Sequence, residues 1–140
     1  FGERESLKLL DALAELGRFA DYVVLDAGHG ATPHAQALLR HADLRLIGLD
    51  DLFVFSLNAI DIGAAKPDPP LFEEARRRLA ARPEQIVHVG DDPEHDVFGA
   101  ARAGFRTVWI NRTRRDWPGG PRADAEIATL DELEPALAAW

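Results

Sequence analysis

Residues 86–96 read Ile-Val-His-Val-Gly-Asp-Asp-Pro-Glu-His-Asp, an apolar run that passes through a glycine into an acidic segment. The apolar half is short and ends at Gly90, which is typical of a buried strand. The six positions after the glycine hold four carboxylates. Such crowding is unfavourable unless a cation neutralises it, and oxygen ligands without cysteine favour Mg²⁺. Helix capping is the alternative, although a cap needs only one or two acidic residues.

Short apolar runs and helical patterns alternate along the rest of the chain. Besides 86–89, strands are predicted at 22–25, 52–57 and 106–110. Helices are predicted at 3–16, at 33–42, from 69 to the residues before Pro83, at 94–103, and after a capping box at 129–132. Wholly apolar strands separated by helices indicate a parallel sheet that is covered on both faces. We therefore predict an α/β fold, a three-layer Rossmann-like parallel sheet with helices on both faces.

Composition limits the kinds of partner. The chain has 140 residues, a net charge of −8 and no cysteine. This length suits a single domain over residues 1–140. The acidic balance argues against nucleic acid and anionic membranes as partners, and no apolar run reaches the roughly 18 residues of a membrane span. The absence of cysteine excludes disulfides, thiolate metal sites and cysteine nucleophiles. These features predict a cytoplasmic domain that binds neither nucleic acid nor membrane.

A second charged segment, Gly-Ala-Ala-Lys-Pro-Asp-Pro at 63–69, precedes a predicted helix. Its Lys66 is one of two lysines among 16 basic residues, and the proline that follows restricts the turn. A loop lysine taken alone is usually solvated. Ligands of parallel α/β sheets bind beyond the carboxyl ends of the strands, so Lys66 and the acidic loop are expected to share one rim. A compact ammonium there suits the neutralisation of a phosphate or carboxylate.

From Gly63 to Asn111 the chain resembles the haloacid dehalogenase-like (HAD) hydrolase superfamily almost continuously. The resemblance rests on 63–69, on Val-His-Val-Gly-Asp-Asp-Pro-Glu-His-Asp-Val-Phe-Gly-Ala at 87–100, and on Ala-Gly-Phe-Arg-Thr-Val-Trp-Ile-Asn at 103–111. The first two segments are similar to the third and fourth motifs of that family. The resemblance implies that Lys66 orders the nucleophile and the transferring group. It also implies that Asp91 is a Mg²⁺ ligand, which Asp92 and Asp96 support directly or through water.

The chain departs from the family pattern at its N-terminal end. The family's nucleophile motif, an Asp-x-Asp after the first and central strand, is absent from the sequence. Residues 1–28 more weakly resemble the helix and strand that follow the family's cap insertion. We therefore expect the first strand and the cap to lie upstream of Phe1. The sheet would then have an open slot between its second and third predicted strands, which a missing segment or a second chain fills unless the strand order differs.

Asp26 is the second departure. The second family motif ends its strand in Thr or Ser, whose hydroxyl binds phosphoryl oxygens, whereas a carboxylate at this position would repel them. Asp26 is also a catalytic candidate, as the nucleophile of a first motif that has lost its second aspartate. Gly28 would then occupy the acid–base position. Gly28 and His29 lie in the same loop, and Arg112 follows the 106–110 strand. These three residues are the candidate contacts for an anionic substrate.

The function implied by the resemblance is Mg²⁺-dependent hydrolysis of a phosphate ester through an aspartyl-phosphate. The substrate would be small and phosphorylated or otherwise anionic. The chain by itself is expected to be inactive, because it lacks the nucleophile motif. A metal-independent 2-haloacid dehalogenase is the enzymatic alternative. A catalytically inactive binding or regulatory module is the alternative from another class, and Asp26 favours it. A homodimer is left open.

Overall fold

The computed structural model of the chain describes residues 22–25, 55–57 and 59–140. The strands are β1 (Tyr22–Leu25), β2 (Ile86–Gly90), β3 (Arg106–Ile110) and β4 (Ala125–Ile127). The helices are α1 (Ala59–Ile62), α2 (Pro69–Leu79), α3 and α4 (Leu133–Ala138). Helix α3 begins as a π-helical stretch, Pro93–Phe98, and continues as an α-helix through Gly99–Arg102. Turns of 3₁₀-helix precede β2 (Pro83–Gln85) and α4 (Leu130–Glu132).

The four strands form one parallel sheet in the order β1-β2-β3-β4. In its register Leu25 pairs with Val89, Val89 with Val108, and Ile110 with Ile127. Because all strands run the same way, their carboxyl ends lie at one edge. The loops that follow β2 and β3 leave the sheet at that edge. The predicted parallel α/β architecture is confirmed.

Side chains of β2 alternate between the two faces of the sheet, as a strand requires. Val87 and Val89 belong to a cluster with side chains of β3, β4 and α4, namely Val108, Ile110, Ile127, Leu133 and Leu137. Ile86 packs on the opposite face with side chains of α2, α3 and the loops beside them, namely Phe72, Ala81, Ala100 and Phe105. Helices therefore cover both faces, which explains why β2 is buried along its whole length.

The structure differs from the prediction at three places. Residues 55–57 of the predicted 52–57 strand are not in a strand, because a short apolar run alone does not specify one. Strand β4 was not predicted, since it has three residues and one of them is a glutamate. The capping box at 129–132 is not formed, because the Glu132 carboxylate accepts a hydrogen bond from the N–H of Ala128 instead of that of Thr129. The predicted helices at 3–16 and 33–42 lie outside the described residues.

The open slot expected next to the 86–89 strand is not observed in the described part of the sheet. Strand β2 has β3 on one side and β1 on the other, and all four residues of β1 are paired with it. A parallel neighbour on each side satisfies the N–H and C=O groups that an open slot would leave unpaired. The prediction of a slot was therefore wrong for this strand.

Candidate active site

An ion pair between Lys66 and Asp96 joins the two charged segments of the sequence. Lys66 Nζ lies 2.6 Å from Asp96 Oδ1 and donates a hydrogen bond to it. The Asp96 side chain is completely buried, and the Lys66 side chain is only 10% exposed. Lys66 lies in the turn before α2, whereas Asp96 lies in the first part of α3. The pair therefore fixes the lysine loop against the acidic loop at the carboxyl edge of the sheet.

The Asp96 carboxylate also receives contacts from β2 and from its own loop. Its Oδ2 accepts a hydrogen bond of 3.0 Å from the N–H of Asp92, and His88 Nε2 lies 3.5 Å from Oδ1. Burial by itself would raise the pKa of Asp96. The contact with His88 and the positive charge of Lys66 outweigh burial and hold that pKa well below its usual range. Asp96 is therefore an ionised, fully engaged anchor.

His88 completes this buried polar group. Its ring packs edge-on against Phe72, with 5.5 Å between the ring centroids. Its Nδ1 is buried and has no hydrogen-bond partner within the part of the chain that the structure describes. A proton on Nε2 points toward Asp96 Oδ1, so the ring can donate a hydrogen bond to that oxygen.

Gly90 at the end of β2 makes room for the Asp96 side chain. A Cβ atom at position 90 would overlap the Cβ, Cγ and Oδ2 atoms of Asp96. Asp96 has no free direction in which to move, because Lys66 and the Asp92 N–H hold both of its oxygens. The glycine is thus required by the close approach of the strand and the carboxylate.

Asp92 caps helix α3. Its Oδ1 accepts hydrogen bonds of 2.9 Å from the N–H groups of Glu94 and His95 and lies 2.9 Å from His95 Nδ1. Partial burial would raise the pKa of Asp92, but these contacts, chiefly those with His95, lower it below its usual value. Capping, the alternative raised for the acidic segment, therefore describes Asp92.

Asp91 differs from Asp92 and Asp96. The residue is exposed, and its backbone carbonyl accepts the hydrogen bonds described here. That carbonyl accepts a hydrogen bond of 3.0 Å from Trp109 Nε1 and another of 2.8 Å from Arg115 Nη2. The described residues contain no group of three or more His, Asp or Glu side chains that could hold a metal ion by itself. Mg²⁺ commonly uses one or two protein carboxylates and takes its remaining ligands from water and substrate phosphate. The Asp91 side chain fits that requirement, whereas the oxygens that hold Asp92 and Asp96 in place are engaged within the protein.

The remaining predicted site residues are placed as follows. Arg112 is exposed in the turn after β3. Asp26, Gly28 and His29 lie outside the described residues. Substrate contact by Gly28, His29 and Arg112 and a catalytic role of Asp26 stay predictions.

Three residues near Asp91 were missed as part of the site. Trp109, Asn111 and Arg115 were not among the predicted site residues. Nothing in the local sequence distinguishes Arg115 from Arg112 and Arg114. The Asn111–Arg115 spacing of four residues across a turn was the one available signal, because Asn side chains often bond to nearby backbone groups.

We expect stability to fall more steeply in acid because of Asp96. Its pKa is below the unfolded value of about 3.9, so the unfolded chain binds more protons in this range. The stabilisation is complete above the unfolded pKa and is lost as pH falls toward the folded one. The variant Asp96→Asn should have a flatter profile of unfolding free energy between pH 5 and pH 2, measured by urea titration.

Glu74 supplies the control for this acid profile. Hydrogen bonds from the exposed guanidinium groups of Arg77 and Arg78 lower the pKa of this surface carboxylate to about 2. Salt screens exposed charges, with a Debye length of about 3 Å at 1 M, but it screens buried pairs much less. The difference between wild type and Asp96→Asn should persist at about 1 M NaCl, whereas a difference for Glu74→Gln should disappear. Equal salt sensitivity of the two would contradict the assignment to Asp96.

Comparison with known proteins places this arrangement in a family. The model of the haloacid dehalogenase-like hydrolase family matches residues 5–104, which include Lys66 and the whole acidic loop. The chain belongs to the haloacid dehalogenase-like hydrolase family. The resemblance seen in the sequence is confirmed. Among the helices of the described residues, none is long and apolar enough to cross a membrane.

Similar proteins within the family include phosphatases and dehalogenases. A phosphoserine phosphatase of Thermus thermophilus is 40% identical over 96 residues, which are 67% of this chain and 38% of that protein. A HAD phosphatase of Thermococcus onnurineus has a similar structure, with a TM-score of 0.71 and 33% identity over 91% of this chain and 55% of that one. A 2-haloacid dehalogenase of Pseudomonas syringae has a TM-score of 0.69 and 39% identity, covering 84% of this chain and 46% of that one. The chain thus spans about half or less of the length of these relatives.

Proposed function

We propose that this chain supplies the lysine and the metal-binding loop of a Mg²⁺-dependent phosphate-ester hydrolase. The observation that carries the proposal is that the three aspartates of the acidic loop differ in their contacts. Lys66 and Asp96 form a buried pair, Asp92 caps the helix, and the Asp91 carboxylate is left exposed at the carboxyl edge of the sheet. The similarity to two phosphatases supports it.

The roles follow from the positions of these groups. Asp91 would hold Mg²⁺, which when bound supplies positive charge for the phosphoryl oxygens. Lys66 would carry a second positive charge toward the same oxygens, and Asp96 holds its ammonium in one place. In the whole protein, an aspartate would attack phosphorus and form an aspartyl-phosphate that water then hydrolyses. Among residues 22–25, 55–57 and 59–140, none is assigned that role.

We expect Mg²⁺ to raise the melting temperature, and Asp91→Asn to remove most of that increase. At ten times the dissociation constant, a ligand that binds only the folded state stabilises it by about 1.4 kcal/mol. For this chain length that corresponds to roughly 3–6 °C. Differential scanning fluorimetry over a Mg²⁺ titration measures the shift. Glu134→Gln, which removes one negative charge from α4, is the matched control and should keep the full shift.

A metal-independent 2-haloacid dehalogenase is the second candidate, and the 39% identity to the Pseudomonas syringae enzyme favours it. The two chemistries release different products. In the whole protein, phosphate release from a phosphate ester that requires Mg²⁺ supports the first candidate. Halide release from a 2-haloacid in the presence of EDTA supports the second. No Mg²⁺ shift in the wild type, together with halide release, would overturn the phosphatase proposal.

A further inference from the structure

Two hydrogen-bond donors converge on one backbone oxygen, the carbonyl of Asp91. Trp109 Nε1 lies 3.0 Å from it and Arg115 Nη2 lies 2.8 Å from it. A carbonyl oxygen has two lone pairs, so two such bonds satisfy its accepting capacity. The carbonyl is therefore committed to the protein, and the side chain is the part of Asp91 that can bind a cation.

Trp109 gives this contact a rigid base. Its side chain is buried in β3, where Trp109 pairs with Gly90 in the sheet register. The Arg115 guanidinium lies 5.8 Å from the centroid of the Trp109 ring. Trp117 packs edge-on against the same indole, with 5.0 Å between centroids. Arg115 thus contacts the indole while its terminal nitrogen bonds to the Asp91 carbonyl.

Asn111 fixes the backbone of Arg115. Its Nδ2 donates to the carbonyl of Arg115 at 2.8 Å, and its Oδ1 accepts from the N–H of Arg115 at 3.0 Å. Asn111 is itself buried, and its backbone N–H donates a hydrogen bond to the carbonyl of Ile127 at the end of β4. The backbone from which the Arg115 side chain projects is therefore tied to the edge of the sheet.

We propose that Arg115 is a positioning residue for the metal-binding carboxylate of Asp91. This inference rests on the proposed function, because it takes Asp91 to be the Mg²⁺ ligand. Arg115 holds the Asp91 peptide through its carbonyl, and the Asp91 side chain thereby keeps one position at the edge of the sheet. By charge alone, a guanidinium beside a cation site opposes cation binding. Its two attachments, to Trp109 and to Asn111, give it a geometric role that outweighs this repulsion.

Charge repulsion by Arg115 and positioning by Arg115 change the dissociation constant for Mg²⁺ in opposite directions. If Arg115 acts only as a nearby charge, Arg115→Gln lowers the dissociation constant for Mg²⁺. If Arg115 positions Asp91, the same variant raises it, by about 10-fold as for other residues that orient metal ligands. Isothermal titration calorimetry with MgCl₂ on the full 140-residue chain gives the constant directly. Arg114→Gln is the matched control, because it removes the same charge one residue away and should leave the constant equal or slightly lower.

A milder variant keeps the test decisive if Arg115→Gln folds poorly. Arg115→Lys retains the charge and most of the chain length but lacks the planar group that stacks on Trp109. We expect its dissociation constant to lie between those of wild type and Arg115→Gln, with a metal-free melting temperature close to that of wild type. An unchanged or lower constant in Arg115→Lys and Arg115→Gln would overturn the positioning role while wild type still binds Mg²⁺. Failure of wild type to bind Mg²⁺ would overturn the proposed function and, with it, this inference.

Discussion

Replacing Lys66 with methionine is expected to lower the free energy of unfolding by about 3–5 kcal/mol, because it leaves the buried Asp96 carboxylate without its counter-charge. The 2.6 Å contact and the complete burial of Asp96 make this a buried ion pair, and removing one partner of such a pair is costly. Chemical denaturation at pH 7 measures the loss. The cost should decrease in acid, since a carboxylate without Lys66 takes up a proton more readily.

Two further variants show whether the cost comes from the buried charge. Arg77→Met breaks an exposed pair with Glu74 and should cost at most about 1 kcal/mol. The double variant Lys66→Met/Asp96→Asn removes both charges and should be more stable than Lys66→Met alone. If Lys66→Met costs no more than Arg77→Met, the pair does not hold the two loops together.

Gly90→Ala is expected to be the second large change, with a loss of about 3 kcal/mol or more. The new methyl group would overlap the Asp96 side chain, which cannot move without breaking its contact with Lys66. Overpacking alone costs about 1–3 kcal/mol, and displacement of a buried charge adds to it. Urea denaturation measures the loss. The acid profile should also flatten, as it does for Asp96→Asn, because the carboxylate is no longer held.

Gly63→Ala is the comparison for this substitution. Gly63 has a positive φ of 73° and open space where a Cβ would lie, so alanine there meets backbone strain and no neighbour. Its expected cost is about 1–2 kcal/mol. A loss at position 90 no larger than that at position 63 would show that Asp96 can shift freely, contrary to its contacts.

Much of the sheet could be predicted from short-range pattern. The runs at 22–25 and 86–89 are mostly apolar and flanked by polar residues or glycine, and the run at 106–110 ends in three apolar residues before Asn111. Each is a strand in a parallel sheet. Strand β4 was not predicted, because its pairing also depends on a contact between residues that are far apart in the sequence. The Asp124 carboxylate accepts a hydrogen bond of 2.7 Å from the N–H of Thr107, seventeen residues away, and so aligns the start of β4 with β3. No local periodicity encodes such a contact.

The residues of the candidate site could be named from the sequence, but the contacts that hold each acidic side chain could not. Four crowded acids and a rare lysine indicated a charged edge of the sheet. The partners of each acid depend on the path of the chain after Gly90. The π-helical stretch directs Asp96 inward to Lys66 and leaves Asp91 outside. Arg115 was hidden for the same reason, since its relation to Asp91 spans 24 residues.

In the loop after β2, the backbone of Asp91 makes the contacts that hold the conformation, whereas its side chain is the proposed metal ligand. Trp109 and Arg115 bond to the carbonyl of Asp91, and every amino acid at position 91 would present the same carbonyl. On the proposed function, a substitution there would therefore remove the metal ligand while the loop keeps its conformation. Position 91 is thus a place where a single substitution could remove the proposed metal site and leave the fold intact. The same property makes position 91 a practical site for installing a new functional group on this scaffold.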